Sequence, residues 1–403
     1  MRKVLLLALG SFTLGLDAYV MAGLLPAIAD DTGTTVALAG QLVTVFTLAY
    51  AVSAPLFASL LSGRRPRGAL IGALAVFTAA NGLTALAPSF GALLAARVAA
   101  GAGAGLYSAL ATAAASSTAG PQRRGRALAL VMGGMSAGTV LGVPLGVLLA
   151  EHTGWRATLW LVTGLGAAAL AGLATLLPPL PAEPQTPVRE RLAALADRTV
   201  APVVGVSFLA AVASLGLYTY LAPVLRSAGG VHGITPYLWA WGVGGVLGSL
   251  AAGPLVDRGA RTPVLVGAVL AAIVLAQALL PALAPAPLAA GAALVLWGAG
   301  GWALQVPQQH RLLALRHGRG PVVLALNNSA LYLGSAVGSA LAGLALSAGL
   351  RPAALPWAAA AVAGAGLLLH ASATARRGRP RAVPTGARPT APCPSTLGNH
   401  EHS

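Results

Sequence analysis

Long apolar runs, broken by short polar or proline-rich stretches, set the pattern of this chain. Twelve can be counted, at residues 4–29, 38–61, 69–87, 91–118, 127–150, 158–177, 201–225, 236–256, 263–283, 288–312, 322–348 and 354–374. Each is near the ~20 residues that a helix needs to cross a bilayer, and the longer ones can tilt. A helix satisfies its own backbone hydrogen bonds in hydrocarbon, so the pattern predicts an all-α membrane protein with twelve spanning helices. The first run has a short basic start, as a cleaved leader would. It is too long for one, carries Asp17 and is followed by further spans, so it is expected to remain as the first helix.

The polar breaks group the runs into two sets of six. The longest break, 178–200, reads PPLPAEPQTPVRERLAALADRTV and predicts a linker between an N-terminal bundle (1–177) and a C-terminal bundle (201–374). Residues 375–403 are rich in Arg, Pro and Gly and read as a disordered basic tail. Internal similarity supports a duplication. Gly138 and Gly142 match Gly334 and Gly338 at an offset of 196, and the loop Gly253–Arg261 falls on Ala58–Pro66 at an offset of 195. Such parallel repeats form two pseudo-symmetric six-helix bundles around an axis along the membrane normal.

Composition agrees with this picture. The chain is 57% hydrophobic and 8% charged, against roughly 25% charged in soluble domains. The net charge of +16 does not point to nucleic acid, because its distribution follows topology. Twenty-one of the 25 basic residues fall on one side, from Arg2, Lys3 and the Arg64, Arg65, Arg67 cluster through Arg311, Arg316, Arg319 and five tail arginines. Arg156, Arg226 and Arg351 fall on the other side, and Arg97 lies within a run. The positive-inside bias then places both termini in the cytoplasm of a cell carrying this protein in its inner or plasma membrane. One cysteine, Cys393, excludes an internal disulfide and a cysteine metal cluster, and no histidine pair has ligand spacing within a helix. Neither a metal nor a cofactor is expected. No nucleophile–base constellation is present either, so an enzyme is not expected.

Asp17 is the one acidic residue placed inside a spanning run. Ionisable groups at such depth are costly and usually serve ions, protons or substrate. Asp17 lies ~20 Å along a helix that starts on the basic side, and Arg97 ~10 Å along one that descends from the other. In a ~30 Å core the two depths coincide, so they are expected to pair. A purely structural ion pair is the plainer alternative. Arg97, Gly101, Gly105, Ser108 and Thr112 share one face of segment four, either a cavity wall or a close helix contact. Gly134, Gly138, Gly142 and Gly146 repeat every four residues beside Pro144, which predicts a smooth groove with a bend.

The motifs around these residues resemble those of the major facilitator superfamily. Segment one reads LGLDAYVMAGLLPAIADD, segment four LAARVAAGAGAG and segment five GTVLGVPLG, followed by Gly154-Trp-Arg-Ala157; the loop at 253–261 reads GPLVDRGAR. Over residues 4–374 the chain is similar to the twelve-helix drug:proton antiporters, in the branch of chloramphenicol-resistance and arabinose-efflux-like permeases. The first-half loop departs from the pattern, with Ser62 where an Asp is expected.

The resemblance implies the major facilitator fold and proton-coupled export of a small, mostly apolar compound by a monomer embedded in lipid. In that reading Asp17 and Arg97 couple the proton. Gly138, Gly142, Pro144, Gly146, Asp257, Arg258 and Arg261 serve gating. Thr13, Met21, Ser108, Thr112, Tyr218, Gln305, Asn328 and Tyr332 are candidates to line the substrate cavity. Ser207 and Ser214 on segment seven, Gln309 on segment ten, and Ser335 and Ser339 on segment eleven share those polar faces; all of these groups suit either substrate or interhelical bonds. Efflux of a sugar, nucleoside or other metabolite is the alternative cargo. A membrane sensor would explain the helices but not an acid at the depth of an Arg.

Overall fold

The computed structural model describes residues 2–60, 66–119, 121–180, 196–231, 233–258, 261–315 and 320–378. Ser62, most of the 178–200 linker and the tail beyond 378 lie outside the described residues. Among the described residues, twelve helices are long and apolar enough to cross a membrane: α1 (Lys3–Thr32), α2 (Val36–Ser53), α3 (Pro66–Leu86), α4 (Phe90–Thr118), α5 (Arg124–Thr153), α6 (Trp155–Leu176), α7 (Ala201–Thr219), α8 (Thr235–Asp257), α9 (Thr262–Leu283), α10 (Pro287–Leu315), α11 (Val322–Ser347) and α12 (Pro352–Ala375). No strand occurs among the described residues. Large apolar side chains such as Leu83, Leu344 and Leu368 lie exposed on the outer surface, as a lipid-facing surface requires.

The helix ends follow local chemistry. Thr35 accepts from the Leu38 amide ahead of α2, and Ser89 accepts from the Ala92 amide at the start of α4, each satisfying a free N–H. Between α5 and α6 the chain reverses at Gly154, whose φ of +89° favours glycine. Next to it Arg156 pairs with Asp31 at 2.7 Å and lies over the Trp155 ring. The first helix runs slightly further than the apolar run predicted, so Asp30 and Asp31 form its last turn.

The two six-helix halves repeat one packing scheme. In the first, α1 packs on α5 and α6, α2 on α4, and α3 on α4 and α6; in the second, α7 packs on α11 and α12, α8 on α10, and α9 on α10 and α12. Glycine contacts give the residue register. Gly138 sits on the Phe12 carbonyl and Gly334 on the Phe208 carbonyl; Gly103 meets Ala73 and Phe77, and Gly300 meets Val269 and Ile273. The offset between equivalent positions is therefore 196 for α1/α7 and α3/α9, and 197 for α4/α10.

The helix is irregular where a bend in α5 is expected. Residues Gly138–Gly142 form a π turn, just ahead of Pro144, which has no N–H to donate. Through this stretch α5 faces two neighbours at once: Gly142 packs on Leu16 of α1, while Val140 packs on Gly242 of α8.

We call the face where α1 begins and α12 ends the terminal face, and the opposite one the far face. Several hydrogen bonds that join the halves lie toward the far face. Thr44 of α2 bonds Ser339 of α11 at 2.8 Å. The Tyr220 hydroxyl, in the short connection after α7, lies 3.2 Å from the carbonyls of both Ala37 and Ser339. Thr235 donates to Glu151 at 3.2 Å.

A Cβ at Gly138 would collide with the Phe12 carbonyl, whereas one at Gly133 would meet nothing. Gly138→Ala is therefore expected to destabilise the protein by about 1–3 kcal/mol, while Gly133→Ala leaves the melting temperature unchanged or raised. Thermal melts of the two variants in one detergent check this.

Candidate functional site

Two opposite charges and an amide meet inside the first half. Asp17 of α1 and Arg97 of α4 are paired at 2.7 Å, with side-chain exposures of 0% and 1%. Asn81 of α3, itself buried, reaches both: its Nδ2 donates to Asp17 Oδ2 at 3.5 Å, and its Oδ1 accepts from Arg97 at 3.5 Å. A 3.1 Å bond to the Phe77 carbonyl fixes the amide to its own helix. The Phe46 ring of α2 lies 4.1 Å from the guanidinium carbon, a cation–π contact. Gly101, one turn beyond Arg97, sits directly on the Phe46 carbonyl. A side chain there would push α2 away and take the ring from under the charge. Four helices thus build one charged centre.

The centre is incompletely satisfied. Arg97 Nε and one of its terminal nitrogens have no hydrogen-bond partner. A guanidinium offers five N–H groups, so its attachment here leans on Asp17.

Beside the charged centre, aromatic rings bridge the halves at mid-depth. Tyr19, two residues beyond Asp17, meets Tyr218 edge-on with ring centres 5.8 Å apart, and Trp241 at 6.1 Å. Tyr50 of α2 stacks on Tyr332 of α11 at 3.6 Å. Trp241 packs further against Trp297 and Trp302, and its ring nitrogen has no partner. Asn81, Tyr19 and Tyr50 escaped the sequence reading. An uncharged amide within an apolar run was the available signal for Asn81.

The structure sorts the other predicted residues. Tyr218 and Tyr332 join the aromatic bridge, and Ser108 interacts with the Tyr50 hydroxyl. Thr13 and Met21 are fully buried, with Thr13 bonded to the Leu9 carbonyl of its own helix. Thr112 is exposed and bonds the Ser108 carbonyl. Asn328 is exposed, and the Gln305 side-chain oxygen lacks a partner. The small face of α4 is a packing face rather than a cavity wall, since Gly101 and Gly105 press on α2 backbone. Gly138, Gly142 and Gly146 contact α1, Pro144 is buried beside them, and Asp257, Arg258 and Arg261 are exposed on the terminal face.

Several of the polar groups that suited either substrate or interhelical bonds make bonds between helices. Ser207 accepts from Gln308, Ser214 accepts from Trp297, and Ser339 bonds Thr44. On α10 the buried amide is Gln308, rather than Gln305 or Gln309. Arg311, at the terminal-face end of its apolar run, is buried and donates to His370 Nδ1 at 3.1 Å, while His370 Nε2 bonds the Pro263 carbonyl at 2.8 Å. Among the described residues no His/Cys/Asp/Glu group could hold a metal.

The fold and its charged centre fit one large family of membrane proteins, and the sequence agrees. A family model described as Major Facilitator Superfamily matches residues 7–339. The chain belongs to that superfamily. This facilitator is 33% identical over 370 residues to the inner membrane transport protein YdhP of Escherichia coli (strain K12), covering 91% of the chain and 94% of the relative. It is 33% identical over 259 residues to a chloramphenicol resistance protein of Streptomyces lividans, covering 63% of the chain and 66% of that protein. Among solved structures it is similar to a D-xylose–proton symporter, with a TM-score of 0.73 at 16% identity, over 92% of this chain and 96% of that one. It is a multi-pass membrane transporter for small molecules, in a family of transporters rather than enzymes.

Replacing Arg97 alone strands a buried carboxylate. Arg97→Leu should cost ~3–5 kcal/mol, and the pair Asp17→Asn with Arg97→Leu distinctly less. Thermal melts of the single and double variants check the order.

Proposed function

We propose that this transporter exports a small, mostly apolar compound in exchange for protons, with Asp17 as the proton-binding group. The observation that carries the reading is the fully buried Asp17–Arg97 pair beside the aromatic bridge between the halves. Ionisable groups at that depth in a transporter mark ion or proton pathways. The basic residues concentrated in the terminal-face breaks orient that face to the cytoplasm. Cross-half hydrogen bonds gathered on the far face suit an inward-facing state. In that state a deprotonated Asp17 holds Arg97 while cargo settles against the rings. Opening outward lets Asp17 take a proton, which loosens its hold on Arg97, releases cargo and permits return. The π turn of α5, between α1 and α8, offers the bend for that motion. The exposed Asp257, Arg258 and Arg261 gate the cytoplasmic face.

Cargo of low polarity fits the aromatic surfaces of Tyr19, Tyr218 and Trp241, and the chloramphenicol resistance protein among the relatives supports a phenicol-like class. Sugar or nucleoside efflux is the second reading, favoured by the exposed Asn328 and the partnerless oxygen of Gln305.

Purified protein in liposomes, with a pH-sensitive dye inside and an imposed proton gradient, tests both. A panel of phenicols, other apolar antibiotics, sugars and nucleosides is added to wild type and to Asp17→Asn. Cargo-triggered proton flux is expected for an apolar compound and lost in Asp17→Asn. Transport at the wild-type rate with unchanged pH dependence in Asp17→Asn removes Asp17 from the proton path.

A further inference from the structure

We infer that Asn81 is a positioning residue that takes over Arg97 when Asp17 loses its charge. The inference rests on the reading of Asp17 as a titrating group. Its geometric basis is that a single nitrogen of Arg97 serves both acceptors, 2.7 Å from Asp17 Oδ1 and 3.5 Å from Asn81 Oδ1. The amide is anchored by its 3.1 Å bond to the Phe77 carbonyl, while its bonds to the two charges are long. Asn81 therefore stands ready beside an ion pair that holds the guanidinium more closely.

Among the described residues, Asn81 is the uncharged side chain bonded to Arg97. Asp17 and Arg97 are the buried charged residues of α1–α6 among the described residues. From α2 the guanidinium meets the Phe46 ring, and the buried Thr47 hydroxyl donates to the Val43 carbonyl of its own helix. From α5 and α6 the nearby contacts are neutral: Gly142 packs on Leu16, and Thr163 lies near Gly82. Protonated Asp17 keeps an acceptor oxygen but loses its charge, so Arg97 is left with a ring face, a neutral acid and Asn81. A buried cation whose carboxylate partner is discharged is destabilised, and a short shift toward the adjacent amide oxygen offsets part of that cost.

The second half supplies an internal comparison. At the offsets fixed by glycine packing, Asp17 corresponds to Ala213, Arg97 to Leu294 and Asn81 to Gln277. Gln277 is fully buried, and both atoms of its amide lack a hydrogen-bond partner. This helix position accommodates an amide without giving it bonds. The long bonds of Asn81 come from the two charges, and so its role is tied to them.

The test uses the full chain in detergent, with melting temperatures measured at about pH 8 and about pH 5. Asn81→Leu is expected to lower the melting temperature modestly at the higher pH and at least twice as much at the lower, because protonation of Asp17 weakens the closer bond to Arg97. Asn81→Gln should restore most of the loss. In an Asp17→Leu background the cost of Asn81→Leu should be large at both pH values and exceed the sum of the single changes. Additive costs with no pH dependence overturn the inference. A cost that is flat with pH in the wild-type background yet more than additive with Asp17→Leu supports the hand-over geometry. It would count instead against proton binding by Asp17. Should Asp17→Leu fail to fold, the pH dependence of Asn81→Leu decides alone.

Discussion

The ion pair between Asp17 and Arg97 is the constraint around which the first half is arranged. Two charges cannot stay in hydrocarbon-facing helices unless they find one another. To bring them together, α1 and α4 must lie adjacent at one depth. The supporting shell follows from that need. Asn81 approaches from α3, and the Phe46 ring is slid under the guanidinium by the contact of Gly101 with α2 backbone. The second half keeps the same packing scheme with Ala213 and Leu294 in place of the charges. Its polar bonds run elsewhere, from Trp297 to Ser214 and from Gln308 to Ser207. One fold plan thus carries a charged interior in one half and a neutral interior in the other.

Glycine does the geometric work that apolar burial does in soluble proteins. Lipid gives helices little reason to associate, so close backbone approach and interhelical bonds hold the bundle. Gly138 on Phe12, Gly338 on Val212 and Gly298 on Trp241 are all backbone-to-backbone contacts. These contacts lie between helices of one half. Between halves, α2 packs along α11 and α5 meets α8 at Gly242, and hydrogen bonds and stacked rings are added to that packing.

How much of this was legible in the sequence depends on the physics behind each signal. The spans were legible because bilayer thickness fixes their length. Asp17 and Arg97 were legible because a charge within an apolar run is expensive, and their depths could be compared by counting residues. Asn81 carries no charge and so made no such signal. Ser207, Ser214 and Ser339 lie on the faces that periodicity predicted, but periodicity does not say what stands opposite. On α10 a break near Leu304 and the buried Pro307 turn the helix so that Gln308 faces inward. Arg311 lay at the edge of an apolar run, and whether it turned outward or toward His370 depended on tertiary packing. The π turn in α5 adds a residue per turn that no hydrophobic period records.

The pairing of charges in one half also governs how the protein feels the membrane potential. Asp17 and Arg97 together are electrically neutral, so an ionised pair experiences almost no net force from the transmembrane field. Any event that discharges the carboxylate leaves a full positive charge on Arg97, deep within that field. A charge moved across the whole potential is worth ~2.3 kcal/mol per 100 mV. A cell interior that is negative would then draw the discharged centre inward. Because the equivalent site in the other half holds only Ala213, Gln277 and Leu294, that pull acts on one bundle and not on its twin.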